Sequence, residues 1–186
     1  RIFGMLDIAL EYELLVLEGR KKLGDKKVTV IALHNTALIY KELAFYTEAT
    51  EFLNQAIQLE TELNMEYQLS HSYIALSEIL KLQNKLNESE QYLIKAQEIA
   101  FKIDNLDSLN KAYLNTGRLL IQKNDLNSAK SYLQKSMTYF TEQKSKRQIA
   151  LNALELAILS SKLEEFGAAE FYLLQVIRHA QELNIT

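Results

Sequence analysis

The chain has 186 residues, enough for one ordinary domain or a short repeat array that buries roughly 70% of its unfolded surface. Its 21 Lys and Arg against 24 Asp and Glu leave a net charge of −3, which argues against a phosphate-backbone binder. The lack of Cys excludes disulfides, thiolate-bound zinc and thiol nucleophiles. With no Pro, only five Gly and no apolar run near the ~18 residues of a membrane span, an all-α chain that does not insert into a membrane is expected.

Apolar periodicity predicts helices at roughly 3–22, 29–43, 47–63, 67–82, 87–103, 108–122, 127–142, 146–161 and 166–183. The first begins directly in the periodic segment "RIFGMLDIALEYELL" without a Met, so the chain is expected to be a piece of a longer protein. Gly24 and Asn64 follow helical segments, where a left-handed residue satisfies the last carbonyls. In "NDLNSAKSYLQKSM", residues 124–137, Asn124 is expected to do the same and Asp125 to cap the next helix. "LAFYTEA", "QNKLNES", "KNDLNSA" and "LEEFGAA" read as short turns between antiparallel neighbours.

A step of 40 residues organises the whole chain. Leu53, Leu93, Leu133 and Leu173 fall in one column, beside Phe52, Tyr92, Tyr132 and Tyr172, with Tyr12 one step earlier. Four residues before each Leu stands a small side chain, Ala49, Ser89, Ala129 or Ala169. Three residues after it stands Ala56, Ala96, Ser136 or Val176. These spacings put the set on one helical stripe, with the aromatics wedged between helices rather than offered as stacking platforms for bases. The helix before each of these carries its own columns: Leu33, Ala37 and Tyr40, then Tyr73, Ser77 and Leu80, then Tyr113, Gly117 and Leu120, then Ala153, Ala157 and Ser160. Their small middle residue predicts a tight helix crossing.

Tyr113, Gly117, Ala129, Leu133 and Ser136, with their 40-residue equivalents, carry a resemblance to the tetratricopeptide repeat. The resemblance covers residues 30–69, 70–109, 110–149 and 150–186 as four repeats, with 1–29 holding the second helix of a truncated one, in a single array. It implies a right-handed superhelical α-solenoid of antiparallel helix pairs. The 40-residue period exceeds the family's usual ~34, and the Pro that commonly closes the second helix is missing. Both features are similar to the extended repeats of kinesin light chain and of bacterial peptide-sensing regulators and sensor kinases.

The chemistry-bearing residues form no catalytic set. "NDLNS" lacks the spaced oxygens, Gly and final Glu of a calcium loop, and the five Gly never cluster into a phosphate cradle. His34 and His71 fall on first helices of adjacent repeats and are expected to approach each other, but without metal-ligand spacing; His179 falls on a second-helix packing column. No cofactor and no enzyme activity are expected.

In an array of stacked helix pairs the first helices line the concave side. Their off-stripe residues are the candidate binding site: Ile31, His34, Asn35, Leu38 and Lys41; His71, Ile74, Glu78 and Lys81; Lys111, Leu114, Asn115, Arg118 and Gln122; Leu151, Leu154, Glu155, Ile158 and Lys162. The resemblance implies that Asn35 and Asn115 hold a peptide backbone, a role for which an amide has both donors and an acceptor. Ala75 and Glu155 interrupt that ladder, and Lys111, Asn115 and Arg118 make only part of a carboxylate clamp. The expected function is a non-catalytic scaffold that binds a protein or peptide segment in this groove, in the cytoplasm and without nucleic acid. The alternatives are a regulatory region of a larger bacterial signalling protein, or a self-association module.

Overall fold

The structure, a computed structural model, describes residues 2–183. Among them are nine α-helices and no strand: α1 (Ile2–Leu23), α2 (Lys26–Glu42), α3 (Tyr46–Glu62), α4 (Glu66–Leu82), α5 (Leu86–Lys102), α6 (Leu106–Gln122), α7 (Leu126–Glu142), α8 (Lys146–Lys162) and α9 (Phe166–Glu182). From α2 onward every helix has 17 residues, and three residues join it to the next. The 40-residue step is therefore two 20-residue helix-and-turn units.

One turn geometry explains that regularity. After α2, Ala44 N–H donates to Lys41 C=O at 3.0 Å and Phe45 N–H donates to Tyr40 C=O at 2.9 Å, with Ala44 left-handed at φ 62°. This paired closure satisfies the orphan carbonyls of the helix end. Phe45 C=O then accepts from Ala49 N–H, so the residue that ends one helix starts the next. The same turn recurs with left-handed Asn64, Asn84, Asp104, Asn124, Lys144 and Glu164. Gly24, Asn64 and Asn124 are legible from residue type. Ala44, Lys144 and Glu164 are not, because a Cβ in this conformation costs about 1–2 kcal/mol. Asp25 and Asp125 add side-chain caps, accepting from Val28 N–H and Ser128 N–H at 3.2 Å; Ser145 does not.

Packing divides the chain into two units, Arg1–Asn105 and Leu106–Thr186. In the first, α1 to α5 pack in sequence around two clusters, one of Leu17, Ala32, Leu33 and Ala56, the other of Ala37, Ala49, Leu53, Leu76, Ile79 and Leu80. In the second, α6 to α9 close around Leu114, Leu120, Ile121, Ala129, Leu133, Leu156 and Leu159.

The second helices α3, α5 and α7 each bury four residues, in shared columns: Ala49, Ser89 and Ala129; Leu53, Leu93 and Leu133; Ala56, Ala96 and Ser136; Glu60, Ala100 and Phe140. The first helices α2, α4, α6 and α8 bury six to eleven, so within each unit they are the more enclosed helices. Leu173 departs from its column at 47% exposure, and Tyr12 from its own, because no described helix packs over either side chain.

The small columns make the expected close crossings. A Cβ added to Gly117 would lie 2.5 Å from Leu133 Cγ and Cδ2. In the preceding repeat Ser89 hydroxyl donates to Ser77 C=O at 2.8 Å across the same crossing. The aromatic column is half-buried. Phe52 stacks on Tyr40, Tyr92 tilts against Tyr73 and Tyr132 against Tyr113, with centroids 5.3, 5.5 and 5.4 Å apart. Lys95 and Lys135 lay their ammonium groups over the latter two pairs, a cation–π addition that periodicity alone does not reveal.

Candidate functional site

In the first unit, α2 presents Ile31, Asn35 and Leu38 to solvent, four and three residues apart and so on one stripe. His34 is half-buried beside them. Burial, and then the Lys41 charge, holds its imidazole below the usual 6.5, so it is neutral at pH 7. Lys41 reaches Glu78 on α4 and Glu42 on its own helix, each at 3.5 Å. On α4, His71 is half-buried with its ring 4.7 Å from that of Tyr67, and Glu78 and Lys81 are half-buried. The structure therefore brings His34 and His71 to the walls of one cleft of about 240 Å³. Ile74 is buried and does not line it.

In the second unit, the residues of α6 are engaged internally. Lys111 pairs with Asp107 at 2.6 Å. Asn115 is buried: its Nδ2 donates to Lys111 C=O at 3.0 Å and its Oδ1 accepts from Arg118 at 3.4 Å. Arg118 Nε donates to Glu155 Oε1 on α8 at 2.8 Å. Leu114 lies in the core cluster with Leu156 and Leu159 of α8, 2% exposed. Gln122 is exposed; on α8, Leu154 and Ile158 are 38% and 40% exposed, with Lys162 one turn further on. Ile158 and Lys162 also line an apolar cleft of about 600 Å³ with Phe166, Leu173 and Leu174 of α9.

Three sequence expectations are thus corrected. Ile74 and Leu114 are packing residues, and the Asn115 amide is taken by its own helix and Arg118. The reason is the width of the buried stripe. Each first helix meets more than its own partner, as α6 meets both α7 and α8, and the extra neighbour covers positions that a two-helix pattern leaves outside. The Lys41–Glu78 and Arg118–Glu155 pairs share one separation of 37 residues and tie neighbouring first helices together within each unit.

One functional candidate escapes a search of the first helices. Glu60, on α3, is fully buried, and burial raises its carboxyl from 4.5 to about 6 even though the Ser72 hydroxyl donates to Oε1 at 2.9 Å. Its signal was available, for the 40-residue step sets Glu60 beside Ala100 and Phe140. Among the described residues no three His, Asp or Glu side chains converge as metal ligands, and no helix is long and apolar enough to cross a membrane.

The fold and these faces define an all-α helical-repeat protein. Residues 70–103 and 111–142 match the tetratricopeptide repeat family model, so these two segments are tetratricopeptide repeats. These matches fall on α4–α5 and on α6–α7. Among solved structures, BtubC (BKLC) from P. vanneervenii is similar at 18% identity, over 97% of this chain and 75% of that one, with a TM-score of 0.78. Rap protein complexed with Competence and Sporulation Factor is similar at 17% identity, over 96% of this chain and 50% of that one, with a TM-score of 0.87. A signal transduction ATPase with numerous domains from Pyrococcus horikoshii, described as having a tetratricopeptide repeat sensor, is similar at 17% identity over 97% of this chain and 28% of that one, with a TM-score of 0.74. At these identities the likeness shows the fold, and this chain spans only half of the Rap protein and just over a quarter of the ATPase. No curated protein matches the chain in sequence.

Proposed function

We propose that the chain is a non-catalytic module that binds a protein or peptide segment on the outward faces of its first helices, α2 and α4 in one unit and α6 and α8 in the other. One observation carries this reading. Apolar side chains that the fold does not bury recur at helical spacing on these helices, Ile31 and Leu38 on α2 and Leu154 and Ile158 on α8, flanked by exposed Asn35 and Lys162. Scattered exposed apolar residues need no explanation, but a stripe of them beside polar groups is the usual form of a binding face. Asn35 is then the amide best placed to pair with a peptide unit, and Lys162 the cation that attracts a carboxylate.

The test uses exposed residues only, because Asn115 and Arg118 hold the second unit together. Peptides selected from a random display library on the wild-type chain are measured by fluorescence anisotropy against Leu38→Asp and Leu154→Asp/Ile158→Asp. Loss of binding with unchanged helical circular dichroism supports the face. Unchanged affinity in both variants refutes it.

A second reading places the array as the sensing part of a larger signalling protein, and it draws support from the likeness to the Rap complex and to the ATPase sensor. The uncovered apolar residues of α9, Phe171, Leu173, Leu174 and Ile177, favour self-association as the means of relaying a signal. Light scattering of wild type and Leu173→Glu/Ile177→Glu decides this point, with a concentration-independent monomer in both arguing against it.

A further inference from the structure

The cleft shared by His34 and His71 contains a feature that the repeat itself does not require. Glu60 occupies a buried column that holds Ala100 and Phe140 in the next two repeats, so packing there is served by apolar side chains. Its hydrogen-bond partner Ser72 likewise corresponds to Ala112. Only one carboxylate oxygen is satisfied. Oε1 accepts from Ser72, whereas Oε2 is buried with no hydrogen-bond partner. Leaving a buried polar atom unpaired is costly, more so for a group that ionises, and such an atom calls for a reason.

Most of the residues around it are polar or aromatic, beside two aliphatic ones. With Glu60, the cleft is lined by His34, Asn35, Tyr67, Gln68 and His71, by the apolar Val30 and Ile31, and by no Lys or Arg. The neutral His34 imidazole offers an acceptor nitrogen, Asn35 and Gln68 each offer a carbonyl oxygen, and Tyr67 offers a ring face. Lys41, whose charge acts on His34, is held by Glu78 and Glu42. At about 240 Å³ the cleft is smaller than the ~300–1,000 Å³ of drug-sized sites and suits one side-chain head group.

We propose that this cleft receives an organic monocation, an alkylammonium or guanidinium group, with the free oxygen of Glu60 as its counter-ion. The inference rests on the peptide-binding reading of the α2–α4 face, for which it names the group the ligand brings: a Lys or Arg side chain or an N-terminal amine. A free small amine has the same chemistry, and the experiment separates the two sources.

The experiment follows the imidazole resonances of His34 and His71 by NMR while the chain is titrated with n-butylammonium, guanidinium and, as the neutral control, 1-butanol. Wild type should show saturable shifts with both cations and none with butanol. Glu60→Gln and Glu60→Ala should weaken cation binding about tenfold or more, as expected for loss of one charge-assisted contact. Glu60→Ala introduces the residue found at Ala100, and its melting curve verifies that the fold is intact. A short peptide with one Lys, compared with its norleucine analogue, then assigns the source: tighter binding than butylammonium points to a peptide, equal binding to a free amine. Butanol shifts equal to those of the cations, or undiminished cation binding by a folded Glu60→Ala chain, overturn the proposal. Glu60-dependent cation binding, with library peptides bound equally by wild type, Leu38→Asp and Leu154→Asp/Ile158→Asp, would sink the peptide reading while leaving the cation site standing.

Discussion

Glu60→Gln measures how strongly the fold opposes its own buried carboxylate. Burial raises the folded-state value from the ordinary 4.5 to about 6, with the Ser72 hydrogen bond opposing the rise. The folded chain thus holds this proton more tightly than the unfolded one. The stability it confers is fully present below about pH 4.5 and lost as the pH rises through about 6. At 1.36 kcal/mol per pKa unit the loss is about 2 kcal/mol, and about 1 kcal/mol if residual water screens the charge. The groups near Glu60 are Ser72 and Tyr73 on α4, with His34 and His71 in the same cleft; Tyr73 is itself raised by burial, then by Tyr92 and Glu60. His34, held neutral, acts with the opposite sign, losing its contribution as the pH falls. The comparison is therefore between the variant and wild type at each pH, which removes what both share. Urea unfolding followed by helical circular dichroism should find the two equal near pH 4 and Glu60→Gln more stable by about 1–2 kcal/mol near pH 7.5. A gap that does not change with pH, or a wild type that is the more stable at the higher pH, refutes the reasoning.

Gly117→Ala drives a Cβ to 2.5 Å from Leu133 and should cost about 1–3 kcal/mol in chemical denaturation. A Leu133→Ala partner change should show strong coupling in a double-mutant cycle, and additive costs would argue against the close crossing. Lys144→Asn places a residue tolerant of the left-handed turn at φ 53° and should stabilise by up to about 1 kcal/mol, read as a higher denaturation midpoint. Arg118→Ala removes the half-buried pair to Glu155 and the contact to Asn115 and should cost about 2 kcal/mol, part of it recovered when Glu155→Ala is added.

The helices were legible because their columns are. Leu53, Leu93 and Leu133, with a small residue four positions earlier, leave one stripe and one period, and every helix start lies within three residues of its expected place. The faces were less legible because the width of a buried stripe depends on how many neighbours a helix has. Asn35 and Leu154 stay outside, while Leu114 and Asn115, on comparable off-stripe positions, are enclosed by α8 and by Arg118. The left-handed conformations of Ala44, Lys144 and Glu164 were not legible, even where the turn was, because the helix ends around them impose a conformation that their side chains do not favour. Glu60 was hidden for another reason. It lies on a second helix, in a packing column, where a charged residue reads as solvated until Ala100 and Phe140 are set beside it.

The central claim is that ligand meets the first helices and reaches the second ones only at Glu60 of α3. Hydrogen exchange with a library-selected peptide bound tests it directly. Slowed exchange is expected in α2 and α4, or in α6 and α8, with α5 and α7 unchanged and any change in α3 confined to the last turn around Glu60. Protection concentrated on α3, α5 or α7, with the first helices exchanging as in the free chain, would contradict it.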